Sequence, residues 1–151
     1  MQLTTLMKVA RILTSKLLVY YSLKGNTKGI IDKLSINNYD VIDINKDRNI
    51  NFDKYETILI GTSTYGRGVP PQPFWGITDK LRNLKGKKIG LFGSGRSEYE
   101  FFCGALDLLE DLVKQKNQIL FKYKFEGYPR ESDVIKFKEL MEEMEYENNQ
   151  V

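Results

Sequence analysis

The sequence predicts an α/β fold in which an open parallel sheet carries helices on both faces. Two observations lead to this prediction: short runs of apolar residues, and helical stretches that alternate with them along the chain. Runs that are apolar at nearly every position are typical of strands buried on both faces, as in a parallel sheet. Regular alternation of strands with helices favours an open sheet covered on both sides.

Five short runs are the predicted strands. Asp40–Ile44 is partly alternating in polarity, which suits a strand at the edge of the sheet. The remaining runs are more continuously apolar and suit strands buried on both faces; they are Lys16–Tyr21, Thr57–Gly61, Lys88–Phe92 and Gln118–Phe121.

Helices are predicted between and after these strands, because apolar residues recur there at helical spacing. Leu108 falls on the apolar face of the third helix, and Ile135 on that of the fourth. Ser132 stands where a side chain caps the N-terminus of the fourth helix. The predicted helices span Asn26–Leu34, Pro73–Leu84, Glu98–Lys116 and Ser132–Glu145.

The 151 residues are a single-domain length. Residues 1–15 are interpreted as an N-terminal extension, since Lys8 and Arg11 interrupt the apolar run that a signal peptide requires. The domain is predicted to span residues 16–146, followed by a polar, frayed tail at 147–151. No apolar run approaches the roughly 20 residues of a membrane helix, so no membrane association is expected.

The composition excludes several kinds of chemistry. The chain has no histidine, which removes serine–histidine and cysteine–histidine nucleophiles and most zinc sites. Its one cysteine, Cys103, cannot form an internal disulfide and suits a reducing cytoplasm. No metal site and no catalytic group are therefore predicted, and the chemistry is expected to come from carboxylates, lysine or tyrosine, or a bound cofactor.

The charge of the chain argues against nucleic acid as a partner. The net charge of +3 is accounted for by Lys8, Arg11 and Lys16, which leaves 20 basic against 20 acidic residues from Leu17 onward. A nucleic-acid-binding domain carries a basic face or stripe, and none is evident here. The lysine-rich segment 85–88 is interpreted as a turn before a strand.

The first loop with binding chemistry is Ser22-Leu23-Lys24-Gly25-Asn26-Thr27, between the first strand and the first helix. Glycine permits tight curvature, so that successive backbone N–H groups face outward and can hold a phosphate. The alternative is plain helix capping by Ser22, Asn26 or Thr27. The loop lacks the glycine patterns of dinucleotide-binding folds and of nucleotide hydrolases.

Two further loops follow the third and fourth strands. In the segment 62–71, Tyr65 beside Gly66 offers a flat ring and a flexible peptide to a planar heterocycle, although an exposed loop tyrosine is the alternative. In the segment 93–104, glycines again free the backbone and Tyr99 is a second aromatic ring. Because ligands of open α/β sheets lie beyond the carboxyl ends of the strands, the three loops together predict one site.

These motifs carry a resemblance to a known family. GTSTYGRGVP, FGSGRSEYEFFCGALDLLEDL and SLKGNT resemble three loops of the flavodoxin family, and the similarity extends over residues 16–145. The resemblance implies a doubly wound five-stranded parallel sheet of order 2-1-3-4-5 and a non-covalently bound FMN. The short passage Lys122–Glu131 leaves no room for the long insertion of long-chain members, so the resemblance is to short-chain flavodoxins.

The resemblance also implies which residues bind FMN. The phosphate would be held by Ser22, Leu23, Lys24, Gly25, Asn26 and Thr27. One side of the isoalloxazine would be bordered by Ser63, Thr64, Tyr65, Gly66, Arg67 and Gly68. The other side would be bordered by Ser94, Gly95, Arg96, Tyr99, Phe102 and Cys103, of which Phe102 and Cys103 suit packing better than contact.

The implied function is electron transfer by a cytoplasmic monomer, between a flavin reductase and an acceptor enzyme, with no enzymatic activity of its own. The alternative is the related activator of class Ib ribonucleotide reductase, which supplies an oxidant to a dimanganese site. The short first helix, the compact return Ser35–Asp40 and the lack of acidity favour the activator, whereas the segment 93–107 favours a flavodoxin. A flavin-free interaction module is the third class considered.

Two arginines depart from the family pattern. Arg67 and Arg96 stand in loops where the family often carries an acid, and the domain is neutral where many electron shuttles are acidic. Acidic surfaces steer shuttles toward basic partners, so the usual partner set is put in question. Beside a flavin, the two arginines are expected to favour the anionic reduced form.

Overall fold

The sheet has five parallel strands. The computed structural model describes residues 16–22, 25–34, 36, 38–63, 75–96 and 104–149. The spatial order is β2-β1-β3-β4-β5, which confirms the predicted sheet order. The strands are β1 (Lys16–Tyr20), β2 (Asp40–Asp43), β3 (Thr57–Ser63), β4 (Lys88–Gly95) and β5 (Gln118–Glu126).

Helices cover both faces of this sheet, each face with its own apolar core. Alternate residues of β1 point in opposite directions, so Leu17 and Val19 belong to one core and Leu18 and Tyr20 to the other. The first core also contains residues of α2 and α3, and the second contains residues of α1 and α4. The helices are α1 (Asn26–Asp32), α2 (Thr78–Asn83), α3 (Gly104–Val113) and α4 (Glu131–Asn149).

The central strands are longer than their apolar runs predicted. β3 and β4 continue to Ser63 and Gly95 because their pairing continues through Thr62↔Gly93 and Ser63↔Ser94. The same pairing brings polar residues to the carboxyl end of the sheet. β2 lies at one edge, as predicted, and β5 forms the other. The interpretation of β5 as buried on both faces was wrong, since only Phe121 and Phe125 of this strand are buried.

The fourth helix begins differently from the prediction. α4 starts at Glu131, so Ser132 lies inside the helix and is not its N-cap. Asp133 takes the capping role, since its Oδ2 accepts a hydrogen bond from the Arg130 N–H at 2.8 Å. A carboxylate is a stronger acceptor there than a hydroxyl. The backbone is helical to Asn149, past the predicted start of fraying, and neither glycine nor proline interrupts it.

The other helices are shorter than predicted over the described residues. α1 ends at Asp32 and not at Leu34. α3 ends at Val113 and not at Lys116, because the Asn117 side chain donates a hydrogen bond to the Val113 carbonyl. Leu108 and Ile135 were placed on apolar faces, but they are 44% and 52% exposed, since each helix buries only a narrow stripe.

The topology determines where a ligand can bind. From β1 the chain passes to β2 on one side, and from β2 it crosses to β3 on the other, so the order reverses beside β1. This reversal creates a crevice beyond the carboxyl ends of β1 and β3. Over the ranges given above, no helix combines the length and the apolar character that crossing a membrane requires.

Candidate functional site

A buried hydroxyl joins the three predicted loops at the carboxyl end of the sheet. Thr27, in the first turn of α1, is fully buried and donates its hydroxyl to the Thr62 carbonyl of β3 at 3.0 Å. Its Oγ1 also lies 3.4 Å from the Oγ of Ser94 on β4. The first turn of α1 and the ends of β3 and β4 therefore converge on one point.

The hydrogen bonds of Thr27 show what its side chain does. A threonine hydroxyl has one hydrogen, which Thr27 donates to the Thr62 carbonyl, so Ser94 is the donor in the 3.4 Å contact. The Thr27 side chain thus ties α1 to the ends of β3 and β4 and is buried from solvent. Only its backbone N–H is left to serve a phosphate. The Thr62 carbonyl was not among the predicted site groups, because a backbone acceptor leaves no mark in the residue type.

Gly25 has the unusual backbone that the phosphate-loop prediction requires. Its φ is +86°, in the left-handed region that glycine adopts without strain, and a Cβ built there would meet no atom within 4 Å. Its carbonyl accepts the Gly29 N–H at 2.8 Å, which closes the first turn of α1. The loop therefore curves tightly and leaves open space on its outer side.

Ser22 combines the two roles that the sequence left open. Its Oγ accepts a hydrogen bond from the Lys28 N–H at 3.0 Å, so it satisfies one donor in the first turn of α1. This bond uses a lone pair and leaves the hydroxyl hydrogen for a second partner. Lys28 extends along the helix surface, and its Nζ lies 3.0 Å from the Asp32 carboxylate.

Ser63 carries an orphaned polar atom. Its Oγ is buried and has no hydrogen-bond partner among the described residues. Ser63 is the pairing partner of Ser94, whose Oγ lies 3.4 Å from Thr27 Oγ1, so Ser63 lies on the strand next to the start of α1. A buried hydroxyl without a partner is costly, which makes Ser63 a ready donor to a ligand.

Glycines allow β4 to approach its neighbours at this edge. A Cβ at Gly93 would lie 2.2 Å from the Thr62 carbonyl oxygen, so no other residue fits there. The Gly95 carbonyl accepts the Gly127 N–H at 3.1 Å, which fastens the loop after β5 to the end of β4. Arg96 follows and is exposed.

Charges around the site are mixed in sign. On β1, burial raises the pKa of Tyr20, and the Asp43 carboxylate raises it further. On the flank formed by α3 and β5, Asp107 binds Lys122 at 2.7 Å and Lys124 at 3.0 Å. In the part of the chain that the structure covers, no cluster of carboxylates or thiols is arranged to hold a metal ion.

The structure thus brings together one part of the predicted site. The described members meet at the carboxyl ends of β1, β3 and β4; they are Ser22, Gly25, Asn26, Thr27, Ser63, Ser94, Gly95 and Arg96. The predicted ring-flanking residues and part of the phosphate loop lie outside the described residues; these are Leu23, Lys24, Thr64, Tyr65, Gly66, Arg67, Gly68, Tyr99, Phe102 and Cys103.

Comparison of the sequence with known proteins agrees with this arrangement. A family model described as flavodoxin matches residues 18–147. The chain is similar to "Probable flavodoxin 2" of Bacillus subtilis (strain 168), with 32% identity over 137 residues that cover 80% of this chain and 89% of the relative.

Solved structures with the same fold include two flavodoxins. Oxidised flavodoxin 1 from Bacillus cereus superposes with a TM-score of 0.68 at 27% identity, covering 80% of this chain and 90% of the other. A Fusobacterium nucleatum flavodoxin bound to flavin mononucleotide superposes with a TM-score of 0.71, covering 87% and 97%. At 18% identity, the latter likeness concerns the fold alone.

Proposed function

Because the chain belongs to the flavodoxin family, we propose that it is a short-chain flavodoxin that carries electrons from a flavin reductase to an acceptor enzyme. Membership of the family makes it an FMN-binding electron-transfer protein rather than an enzyme. Such a role implies redox partner proteins. What we propose beyond family membership is that these partners are a flavin reductase and an acceptor enzyme.

The orphaned hydroxyl of Ser63 is the observation that carries the proposed phosphate site. It lies buried beside α1, where the Thr27–Thr62 hydrogen bond joins β3 to the phosphate loop. A phosphate oxygen would accept this hydroxyl and remove the cost of leaving it unpaired. Ser63 was expected to border the isoalloxazine, and its place next to α1 supports the phosphate end of FMN instead.

Several groups of this chain would act on the phosphate together. The left-handed backbone of Gly25 leaves open space at the start of α1, where backbone N–H groups would face a phosphate. Ser22 keeps a hydroxyl hydrogen for the phosphate, while Thr27 contributes its backbone N–H and holds the strand ends in place. When bound, FMN supplies the redox chemistry by accepting and donating single electrons. Tyr65 and Tyr99 remain the proposed rings on either side of its isoalloxazine.

The activator of ribonucleotide reductase remains the second candidate for one reason. α1 has only seven residues, and a short first helix favoured that alternative. The similarity to flavodoxins over most of the chain supports the electron carrier. The two functions separate in a reconstitution assay with purified partners. Radical formation on a dimanganese subunit that depends on this protein would support the activator.

Titration with two flavins tests the phosphate site. We expect FMN to bind more tightly than riboflavin, which lacks the phosphate, with flavin fluorescence as the readout. Ser63→Ala is expected to weaken FMN about tenfold, the usual effect of losing a hydrogen bond to a charged group. Riboflavin binding should stay unchanged, and Ser132→Ala on the exposed surface of α4 is the matched control. Equal losses for FMN and riboflavin would contradict the assignment of Ser63.

A further inference from the structure

A tyrosine outside the predicted site lies against the helix that follows the phosphate loop. Tyr128, in the loop between β5 and α4, packs its ring on Gly29 in the middle of α1. A Cβ built at Gly29 would lie 2.7 Å from Cε2 and 3.0 Å from Cζ of that ring. The close approach explains why α1 has a glycine at a buried position, since glycine is a poor helix former. With the ring in this position, any side chain larger than that of glycine at residue 29 would displace it.

The loop that carries Tyr128 is fastened at both ends. The Gly127 N–H donates to the Gly95 carbonyl at 3.1 Å, and the φ of Gly127 is +62°. On the other side, the Arg130 N–H donates to Asp133 at 2.8 Å. Although Tyr128 is 57% exposed, the backbone on either side of it is therefore held by hydrogen bonds.

The contact reaches the phosphate loop through one hydrogen bond. Gly29, which the ring covers, donates its N–H to the carbonyl of Gly25, the left-handed residue of that loop. The ring makes a second contact at the end of α1, since Nζ of Lys33, the residue that follows the helix, lies 5.6 Å from its centre. A helix of seven residues has little stability of its own, so its position depends on such packing.

We propose that Tyr128 is a positioning residue for the phosphate loop, acting through Gly29 and the first turn of α1. This inference rests on the proposed function. The ring holds α1 against the sheet so that Gly25 presents its loop at the geometry that a phosphate requires. The loop after β5 thereby couples the end of β4, through Gly95, to the other side of the site.

Substitution of Tyr128 tests the proposal in the full-length protein. Tyr128→Ala is expected to weaken FMN about threefold to tenfold, as for coupled neighbouring residues, and to leave riboflavin binding unchanged. Tyr128→Phe keeps the ring and should restore wild-type binding. Ile135→Ala removes a similarly exposed apolar side chain from α4 and should change the affinity for neither flavin.

Gly29→Ala provides an independent test, because alanine should stabilise the helix α1 itself, whereas removing the Tyr128 ring should destabilise it. Alanine favours the helix but displaces the ring, so positioning predicts weaker FMN binding despite the better helix former. In Gly29→Ala combined with Tyr128→Ala, the two losses should not add. Hydrogen exchange of the apoprotein should show faster exchange over α1 in Tyr128→Ala, with α4 unchanged.

The outcomes separate this inference from the proposed function. If wild-type protein prefers FMN to riboflavin and Tyr128→Ala retains that full preference, the positioning role is overturned and the phosphate site stands. If Tyr128→Ala weakens both flavins equally, the ring acts on the general stability of the fold and the proposal fails. If the wild type binds FMN no more tightly than riboflavin, the phosphate site fails, and the positioning role fails with it.

Discussion

Asn117 and Ser63 lie at opposite ends of the sheet and use their polar side chains in opposite ways. At the amino end, Asn117 donates to the carbonyls of Leu84 and Val113 at 2.9 and 2.8 Å, and accepts from the Lys87 N–H at 2.9 Å. At the carboxyl end, the buried Ser63 hydroxyl has no partner among the described residues. The Asn117 amide forms its hydrogen bonds with the protein itself, whereas the Ser63 hydroxyl is the donor that we propose for the ligand.

The difference suggests that substituting Asn117 would affect the stability of the fold, whereas substituting Ser63 would affect the binding of the proposed ligand. Asn117 joins the turn before β4, the end of α3 and the start of β5, so its amide fastens several elements at once. Thr27 ties the carboxyl ends of the strands in the same manner, but its neighbour Ser63 is left unsatisfied. Unsatisfied buried groups in native proteins call for an explanation, and the proposed phosphate would supply one for Ser63.

The largest effect is expected at the amino end. Asn117→Ala should lower the free energy of unfolding by about 2–3 kcal/mol, because two carbonyls and one amide lose their partner in a partly buried region. Urea denaturation measures the loss, with Asn83→Ala as the exposed control. FMN affinity of the folded protein should remain that of the wild type. A variant that keeps its stability but loses FMN would reverse the comparison between the two ends.

A smaller effect is expected from charge at the carboxyl end. Changing both Arg67 and Arg96 to Glu should lower the second one-electron potential of the bound flavin. A unit charge at ~8 Å is worth about 1–2 kcal/mol at an effective dielectric of 20–40, or roughly 40–90 mV for each unit of charge when nothing screens it. Salt should reduce the shift. Potentiometric titration at low and moderate salt measures it.

Arg82→Glu is the control for that titration, since it makes the same type of charge reversal at one residue on the exposed surface of α2. An unchanged potential in the double variant would show that the arginines do not tune the flavin. Docking of a partner protein would then be their better explanation.

The smallest effect is expected on the flank, at Asp107. Burial raises the pKa of Asp107, but hydrogen bonds from Lys122 and Lys124 outweigh it and hold the pKa below 3.8. The pair therefore stabilises the fold above that pH, and the stability is lost as the pH falls through the folded pKa. Asp107→Asn should cost less than about 1 kcal/mol near neutral pH, since the side chain is about half exposed and water screens the pair.

Urea denaturation as a function of pH checks this sign. The difference between Asp107→Asn and the wild type should shrink below pH 3.8. Asp111→Asn breaks the more exposed pair with Lys114 and is the matched control. A difference that grows on acidification would contradict the direction of the pKa shift.

The sequence by itself determined the elements and their order. Apolar runs located all five strands, and the partly alternating run of β2 placed it at an edge, because periodicity is a local property. The tight turn of the first loop was also predicted from a local property, the presence of glycine. Gly25 has the left-handed backbone that only glycine adopts freely. The order of the strands in space and the identity of FMN came from resemblance to a family.

Tertiary structure alone decided the roles of individual polar groups. Nothing local in the sequence shows that Thr27 turns inward to Thr62, a residue 35 positions later, or that Ser63 beside it is left without a partner. Nor does it show that Gly29 makes room for Tyr128, which lies in the loop after the edge strand β5. Residue type determines what a side chain can donate or accept. Which partner it meets depends on distances that are set only when the strands and helices pack together.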